Sequence, residues 1–312
     1  MTHQRQTRAT IVGCAILLSL SCDAPAQRIV IAPKGKAGRP SAKVPGNVAA
    51  KLDVVYARYG KRAMRLDLFT PRGKTGPLPA IAVVHGGGWL KGNKQKFRAL
   101  AIALAKRGYV TAAVGYRLGG EAKFPAGIQD CNAAVRYLRA NAKRLGIDPE
   151  RIGAVGGSAG GHLVGLMATA PHVKAFQGDG GNAGASSQLQ AAIVMAGPLE
   201  LATGPVAEKS RKQPDKSNAN KWFGKTVDQA PELYKQASPI THVSRHTPPM
   251  LFMAGEFDKP ARNAATRKKL AALKIATGIV VVKRGRHGCW NREPFFTPMV
   301  VQMDRWFAKH LK

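Results

Sequence analysis

One stretch of the chain sets four glycines around a single serine, Gly156-Gly157-Ser158-Ala159-Gly160-Gly161. Mostly apolar residues precede it at 151–155, and apolar residues follow it at helical spacing at 162–167. This pattern predicts a buried strand that turns sharply into a helix, because only small neighbours allow a turn that lifts one side chain clear of the sheet. Ser158 is the side chain so displayed. The helix start behind it would direct unpaired N–H groups and a positive dipole end at anything bound over Ser158.

Short apolar runs typical of strands recur along the chain, at residues 53–56, 65–69, 80–84, 110–114, 152–155, 191–195, 250–253 and 278–282. Helical spacing of apolar residues occurs between most of the later runs, at residues 97–106, 131–145, 261–273 and 299–307. Strands that alternate with helices predict a mostly parallel sheet covered on both faces, and the first two runs predict an antiparallel hairpin at one edge. We therefore expect an α/β fold with an eight-stranded sheet in one domain, residues 51–312.

Three segments fall outside this alternation. Residues 198–240 are rich in charged and turn residues, and we expect them to form a small lid over the carboxyl edge of the sheet. Residues 27–50 combine proline, glycine and basic residues without periodicity, which predicts a disordered basic linker that is dispensable. Residues 1–26 have the charged, apolar and Ala-x-Ala order of a secretory signal, which predicts cleavage after Ala26 and a secreted or periplasmic protein. A lipoprotein anchor at Cys22 is the alternative. The apolar segments are too short to span a bilayer, so an integral membrane protein is not expected.

The chain is strongly basic, with 49 Lys and Arg residues against 17 Asp and Glu residues and a net charge of +32. These charges are scattered, and neither zinc-finger spacing nor an RNA-binding signature accompanies them, so no nucleic-acid partner is expected. Our first interpretation is that these charges form a solvated surface. The second is that they attract anionic material, including an anionic substrate. Cys131 and Cys289 follow the signal segment and permit at most one disulfide, and no metal-ligand spacing occurs.

A glycine-rich loop, His85-Gly86-Gly87-Gly88-Trp89, comes directly after the apolar run at 80–84. Consecutive glycines cost backbone entropy, and we expect them to bring N–H groups close to a reacting carbonyl oxygen. Gly87 and Gly88 are the candidate donors, and the N–H of Ala159 is a third. A plain glycine turn is the alternative.

A carboxylate and a histidine follow two later predicted strands. Asp258 comes after the run at 250–253, and His287 comes after the run at 278–282. With Ser158 they have the chain order of a Ser-Asp-His triad, in which the histidine accepts the proton of the serine and the aspartate fixes the histidine tautomer. Glu256 is the alternative acid. Asp258 is preferred because it lies further past the strand, where its carboxylate can reach the histidine loop.

Several motifs of the chain occur together in one known family: His85-Gly86-Gly87-Gly88-Trp89, Tyr116-Arg117-Leu118, Phe124-Pro125-Ala126, Asp130, Gly146-Ile147-Asp148-Pro149-Glu150-Arg151-Ile152, Gly157-Ser158-Ala159-Gly160-Gly161-His162-Leu163, Ala237-Ser238-Pro239-Ile240, Pro248-Pro249-Met250-Leu251 and His287-Gly288. On these motifs, residues 53–312 resemble the α/β-hydrolase superfamily, and within it the secreted bifunctional feruloyl and acetyl-xylan esterase-like proteins. The resemblance implies the α/β-hydrolase fold and a serine esterase that cleaves short-chain or aromatic acyl esters on cell-wall polysaccharide through an acyl-enzyme, without metal or organic cofactor. One departure is Lys259-Pro260-Ala261-Arg262, where relatives commonly continue towards Val-Pro and a small polar residue.

Trp89, Trp222 and Trp290 are candidate walls of a substrate pocket, although aromatic residues also fill cores. Two other functions stand beside the polysaccharide esterase: a general carboxylesterase or lipase-like hydrolase of small esters, and a basic extracellular binding protein that keeps the fold without activity. The presence of all three candidate triad residues favours the hydrolases, since a fold by itself does not establish function.

Overall fold

The computed structural model describes residues 27–312, so the predicted signal peptide, with its alternative anchor Cys22, lies outside the described residues. One sheet of nine strands runs through this part of the chain. The strands are β1 (Gln27–Ile31), β2 (Val48–Tyr59), β3 (Arg62–Pro71), β4 (Leu78–Val84), β5 (Val110–Val114), β6 (Ile147–Gly157), β7 (Ala191–Met195), β8 (Met250–Gly255) and β9 (Thr277–Val282).

The spatial order of the strands is β1-β9-β8-β7-β6-β4-β5-β3-β2. β2 pairs antiparallel with β3, and β3 pairs antiparallel with β5, whereas every other neighbouring pair is parallel. All eight strands expected from the apolar runs are present, including the antiparallel hairpin at one edge. The parallel strands place their carboxyl ends at a common edge, and the loops that leave this edge carry the candidate site.

The ninth strand, β1, corrects two predictions. The sheet has nine strands instead of eight, and residues 27–50 are not a linker that the fold ignores. β1 pairs in parallel with β9, residues 48–50 open β2, and Gly38 forms a bridge with Glu293. Sequence periodicity missed β1 because an edge strand is held mainly by backbone pairing, and only Ile29 and Ile31 are partly buried in it.

Helices cover both faces of the sheet: α1 (Arg98–Ala105), α2 (Ala126–Ala140), α3 (Ala142–Leu145), α4 (Ala159–Thr169), α5 (Gly204–Lys212), α6 (Asn218–Phe223), α7 (Pro231–Gln236), α8 (Pro239–His242), α9 (Ala264–Ala272) and α10 (Phe296–Leu311). Successive side chains of a strand point to opposite faces. In β4, Ala82 and Val84 therefore join the core beneath α2 and α4, while Ile81 and Val83 join the core beneath α1 and α10.

The segment 198–240, expected to form a lid, is folded into α5, α6, α7 and part of α8 and packs beside the carboxyl edge of the sheet. Within the described range, the helices are all too short or too polar to cross a lipid bilayer.

Candidate active site

Ser158 lies at the junction of β6 and α4 in a strained backbone conformation, with φ 56° and ψ −122°. A residue with a Cβ atom adopts positive φ rarely, and the surrounding structure must hold it there. Two backbone hydrogen bonds do so: the Ser158 N–H donates to the carbonyl of Met195 at 2.8 Å, and the His162 N–H donates to the carbonyl of Ser158 at 3.0 Å. The predicted strand-to-helix turn is therefore present, and it displays the serine.

The glycines around Ser158 are required by close backbone contact. A Cβ atom on Gly86 would lie 2.6 Å from the carbonyl oxygen of Gly157, and one on Gly160 would lie 2.5 Å from the carbonyl oxygen of His85. Both distances are shorter than real Cβ contacts, so a larger residue at either position would push the glycine-rich loop away from the serine turn.

His287 joins Ser158 to Asp258 through two hydrogen bonds. Its Nδ1 lies 2.7 Å from Oδ2 of Asp258, and its Nε2 lies 3.0 Å from Oγ of Ser158. In the tautomer with the proton on Nδ1, that N–H donates to the carboxylate and the serine hydroxyl donates to Nε2. The Asp258 side chain is 5% exposed and the His287 side chain is 49% exposed. A buried carboxylate thus orients a ring whose other nitrogen is open to a reactant.

The alternative acid, Glu256, is engaged elsewhere. Its carboxylate pairs with Nζ of Lys283 at 2.7 Å and accepts the backbone N–H of Arg284 at 2.9 Å. This backbone hydrogen bond and the lysine charge lower the pKa of Glu256. Asp258 is the carboxylate that contacts His287, because the turn after β8 carries it past Glu256 to the histidine loop.

Arg262 is a site residue that the sequence analysis did not assign. Its guanidinium donates to Oδ1 of Asp258 at 3.3 Å and to the carbonyl of Ala196 at 2.6 Å. It therefore holds the oxygen of Asp258 that His287 does not use. Arg262 belongs to the stretch that departs from the family pattern, and its spacing of four residues from Asp258 was the available signal.

The three predicted N–H donors have no hydrogen-bond partner in the described part of the chain. The N–H groups of Gly87, Gly88 and Ala159 donate to no other atom of residues 27–312, and both Gly88 and Ala159 line the pocket that Ser158 opens into. The ring of His85 stacks on Tyr116 with centroids 4.3 Å apart, and the Tyr116 hydroxyl donates to the His85 carbonyl at 3.0 Å. Burial lowers the pKa of His85 to about 4, so this ring is a neutral support for the loop.

The pocket beside Ser158 has a volume of about 530 Å³. The walls come from the serine turn, the glycine-rich loop, the segment 198–240 and the start of α9, and the residues are mainly small or apolar. Ligand pockets commonly have volumes of about 300–1,000 Å³. Asn218, at the start of α6, is a further lining residue, and its side-chain amide lies against Gly88. It follows no strand and matches no motif, so sequence reasoning had no signal for it.

The three tryptophans predicted as pocket walls differ in position. Trp89 lines the pocket, and its indole N–H donates to Nδ1 of the buried His162 at 3.2 Å. Trp222 and Trp290 are not pocket walls, which corrects the prediction for both. Trp222 is 1% exposed and stacks behind Trp89 at 5.0 Å, and Trp290 is 3% exposed and packs edge-on against His287. Both are covered because their helical segments turn the indoles inward, which composition does not reveal.

Neither cysteine in the described residues takes part in the hydrogen-bonded triad. Cys131 and Cys289 are both free and buried. Burial raises the pKa of the Cys289 thiol to about 12, so it is protonated at neutral pH although it lies two residues beyond His287. Among residues 27–312, no three or more His, Cys, Asp or Glu side chains are grouped so that they could hold a metal ion.

A family model described as BD-FAE matches residues 66–271, which is more than half of the chain and includes Ser158 and Asp258. The chain belongs to the BD-FAE family. The probable carboxylic ester hydrolase LipM of Mycobacterium tuberculosis is 32% identical over 247 residues, which cover 71% of this chain and 53% of LipM. The chain spans about half the length of the mycobacterial esterases that it matches.

Solved structures of esterases share the architecture of this BD-FAE member. A truncated carbohydrate esterase from gut microbiota covers 88% of this chain and 99% of its own length, with a TM-score of 0.75 and 24% identity. Esterase 2 of Thermogutta terrifontis, solved with propionate bound, covers 85% of this chain and 94% of its own length, with a TM-score of 0.67 and 26% identity. The predicted α/β-hydrolase fold is confirmed, with nine strands in the sheet.

Proposed function

We propose that this BD-FAE protein is a serine carboxylesterase whose catalytic residues are Ser158, His287 and Asp258. The observation that carries the proposal is the continuous hydrogen-bonded chain from Ser158 through His287 to Asp258, at 3.0 and 2.7 Å. Relatives named as esterases support the reaction class.

In the first step, His287 Nε2 accepts the hydroxyl proton of Ser158 while Oγ attacks the carbonyl carbon of the ester. Asp258 keeps the proton of the imidazole on Nδ1 and stabilises the imidazolium that forms. Arg262 holds the far oxygen of Asp258, which keeps the carboxylate directed at the ring. The proton on Nε2 then passes to the leaving alcohol, and Ser158 retains the acyl group.

The negative oxygen of the tetrahedral intermediate is bound by the N–H groups of Gly87, Gly88 and Ala159. Donors that are unpaired in the resting protein stabilise the charge without first breaking other hydrogen bonds. In the second step, water takes the place of the alcohol, gives a proton to His287 Nε2 and attacks the acyl carbon. Collapse of that intermediate returns the proton to Ser158 and releases the acid.

The acyl group occupies the pocket of about 530 Å³ that contains Ser158 and Ala159. This volume exceeds the need of an acetyl group, and the apolar walls suit a short-chain or aromatic acyl group. The alcohol half is a sugar of cell-wall polysaccharide, which the resemblance to feruloyl and acetyl-xylan esterase-like proteins supports. The segment 198–240 acts as the lid of the acyl pocket. The proposal includes export from the cytoplasm and removal of residues 1–26 after Ala26, which the mass of the mature protein would report.

An organophosphonate, which traps an activated serine covalently, tests the proposal. Intact-protein and peptide mass spectrometry should find one phosphonate on Ser158, and EDTA should leave hydrolysis of 4-nitrophenyl acetate unchanged. Ser158→Ala should lower kcat by roughly 10⁴-fold or more. The matched control is Ser186→Ala, which removes an exposed serine of a loop. Hydrolysis that persists without labelling of Ser158, or that EDTA abolishes, would contradict the proposal.

A panel of polysaccharides then tests the substrate. Acetylated and feruloylated xylans should release acid with wild-type protein and not with Ser158→Ala. Cleavage of simple aryl esters alone, with every polysaccharide inert, would favour the general carboxylesterase.

A further inference from the structure

A second pocket opens on the other side of His287. Its volume is about 710 Å³, and it is lined by residues of three separate segments of the chain: Ala37, Gly38, Arg39, Lys96, His287, Gly288, Asn291, Arg292 and Glu293. The pocket beside Ser158 contains Ser158, Gly88 and Ala159 but not His287, whereas the second pocket contains His287 and none of those three. We call the second pocket the histidine-side pocket.

Three cations line the histidine-side pocket. The side chains of Arg39, Lys96 and Arg292 are exposed and form no ion pair or hydrogen bond with residues 27–312. The one acidic lining residue, Glu293, is turned towards the start of α10, where its carboxylate accepts the hydroxyl of Thr297 at 2.7 Å. The lining therefore carries three cations that form no ion pair within the described residues and one carboxylate, which gives a net charge of +2.

The wall that carries Arg39 is fixed to the sheet. The backbone of Gly38 accepts the N–H of Glu293 at 3.0 Å, the Lys283 N–H donates to Ile31 at 2.8 Å, and the Arg284 guanidinium donates to Pro33 at 2.8 Å. β1 and the chain after it thus place an arginine beside the histidine loop. This segment is the one whose sequence predicts a linker, and the contacts turn it into part of a pocket.

The chemistry assigns the two pockets to different halves of an ester. The alcohol that leaves must receive its proton from Nε2 of His287, so it lies on the histidine side of Ser158 Oγ. The carbonyl oxygen lies towards Gly88 and Ala159, and the acyl group follows it into the pocket of about 530 Å³. The alcohol half consequently extends towards Arg39, Lys96 and Arg292.

We propose that the histidine-side pocket binds a carboxylate on the alcohol half of the substrate, so that the preferred esters are acyl groups on acidic sugars of the uronic-acid type. This inference rests on the proposed esterase function. Arginine and lysine supply the donors that a carboxylate accepts, and an arginine fork can hold both of its oxygens. The net positive charge of the whole chain also attracts acidic polymer towards this pocket.

Hydrolysis of a matched pair of substrates tests the preference. The pair is O-acetylated methyl galactopyranosiduronate and its O-acetylated uronamide, which differ in one charge and almost nothing in shape. An exposed ion pair is worth a factor of roughly 1.5 to 5, so three cations should favour the acid in kcat/KM by roughly 3- to 100-fold at low salt. The preference should fade in 1 M salt, where the Debye length is about 3 Å.

Arg39→Gln combined with Arg292→Gln should reduce that preference to about twofold, because it lowers the rate for the acid more than the rate for the uronamide. The control is Lys74→Gln combined with Lys143→Gln. It removes two exposed lysines that precede β4 and β6, at the amino ends of the parallel strands, and should keep the preference. Equal rates for acid and uronamide in wild-type protein would overturn the proposal. So would a preference that is undiminished in the Arg39/Arg292 variant, or a stronger preference for a sugar 6-sulfate.

Binding without turnover separates this proposal from the esterase function. Full-length Ser158→Ala should bind unacetylated methyl galactopyranosiduronate more tightly than its uronamide in an NMR titration, and Arg39→Gln with Arg292→Gln should reduce the difference to about twofold. If no ester is cleaved but this carboxylate preference is present, the esterase proposal fails and the anion pocket stands. If neutral esters are cleaved and the two sugars bind equally, the anion pocket fails and the esterase stands.

Discussion

Gly160→Ala should disable the serine turn with the addition of one methyl group. A Cβ atom at residue 160 would lie 2.5 Å from the carbonyl oxygen of His85 and 2.7 Å from its carbonyl carbon, and closer still to the carbonyl oxygen of Val84. Favourable contacts between carbon and oxygen atoms in proteins begin at about 3.3 Å, so the backbone of His85 would have to move by about 0.8 Å and that of Val84 by more. The clash partners are all backbone, and no side chain can rotate away.

The movement acts directly on the proposed chemistry, because His85 begins the loop of Gly87 and Gly88 and residue 160 follows Ala159. A displacement of about 1 Å in a positioned group can cost roughly 100-fold in rate. We therefore expect Gly160→Ala to lower kcat for 4-nitrophenyl acetate by roughly 100-fold. Overpacking of this kind should also lower the free energy of unfolding by about 1–3 kcal/mol, measured by urea denaturation.

Gly184→Ala is the matched control, because an added Cβ atom there meets no described atom within 4 Å. It should leave kcat and the free energy of unfolding unchanged. The reasoning would be refuted if Gly160→Ala kept kcat within about twofold of wild type while folding as a monodisperse protein, since the close approach of the two loops would then not matter for the reaction.

Three further predictions concern the catalytic acid, the edge strand β1 and the buried His162. Asp258→Asn should lower kcat by roughly 10⁴-fold and Glu256→Gln by much less, because only Asp258 contacts His287; steady-state kinetics showing the reverse order would move the acid to Glu256. Deletion of residues 27–31 should lower the free energy of unfolding by about 2 kcal/mol, because two half-buried isoleucines and the pairing with β9 are lost; urea curves that coincide with wild type would restore the linker interpretation. Burial lowers the pKa of His162 to about 4, so the unfolded chain takes up a proton between about pH 6.5 and 4 that the folded chain does not. Stability should therefore fall as the pH is lowered through that window, and His162→Gln should flatten the dependence in urea titrations at pH 7 and pH 5.

The features that the sequence determined by itself are local ones. A strand, a turn of small residues and a helix occupy consecutive positions around Ser158. Each of them needs particular residue types, and those types occur at these positions. The alternation of apolar runs with helical spacing likewise predicted eight strands and the mostly parallel sheet, since each element has its own period. The family motifs agree with this local information, and the match to the BD-FAE family covers residues 66–271 of that region.

The tertiary structure decided the features that depend on distant segments. The contact of His287 with Asp258 instead of Glu256 depends on how far the turn after β8 extends, which spacing alone did not settle. Burial of Trp222 and Trp290 depends on the orientation of their helical segments, because an aromatic ring suits a core and a pocket wall equally well.

β1 and the histidine-side pocket were the least visible in the sequence. An edge strand is stabilised by backbone pairing with β9, which any residue except proline can provide, so its side chains carry little signal. The pocket brings together Arg39, Lys96 and Arg292 from three segments, each of which is an ordinary basic surface residue in its own context. Only the folded chain, in which β1 lies beside β9 and the glycine-rich loop leads to Lys96, sets these charges around His287.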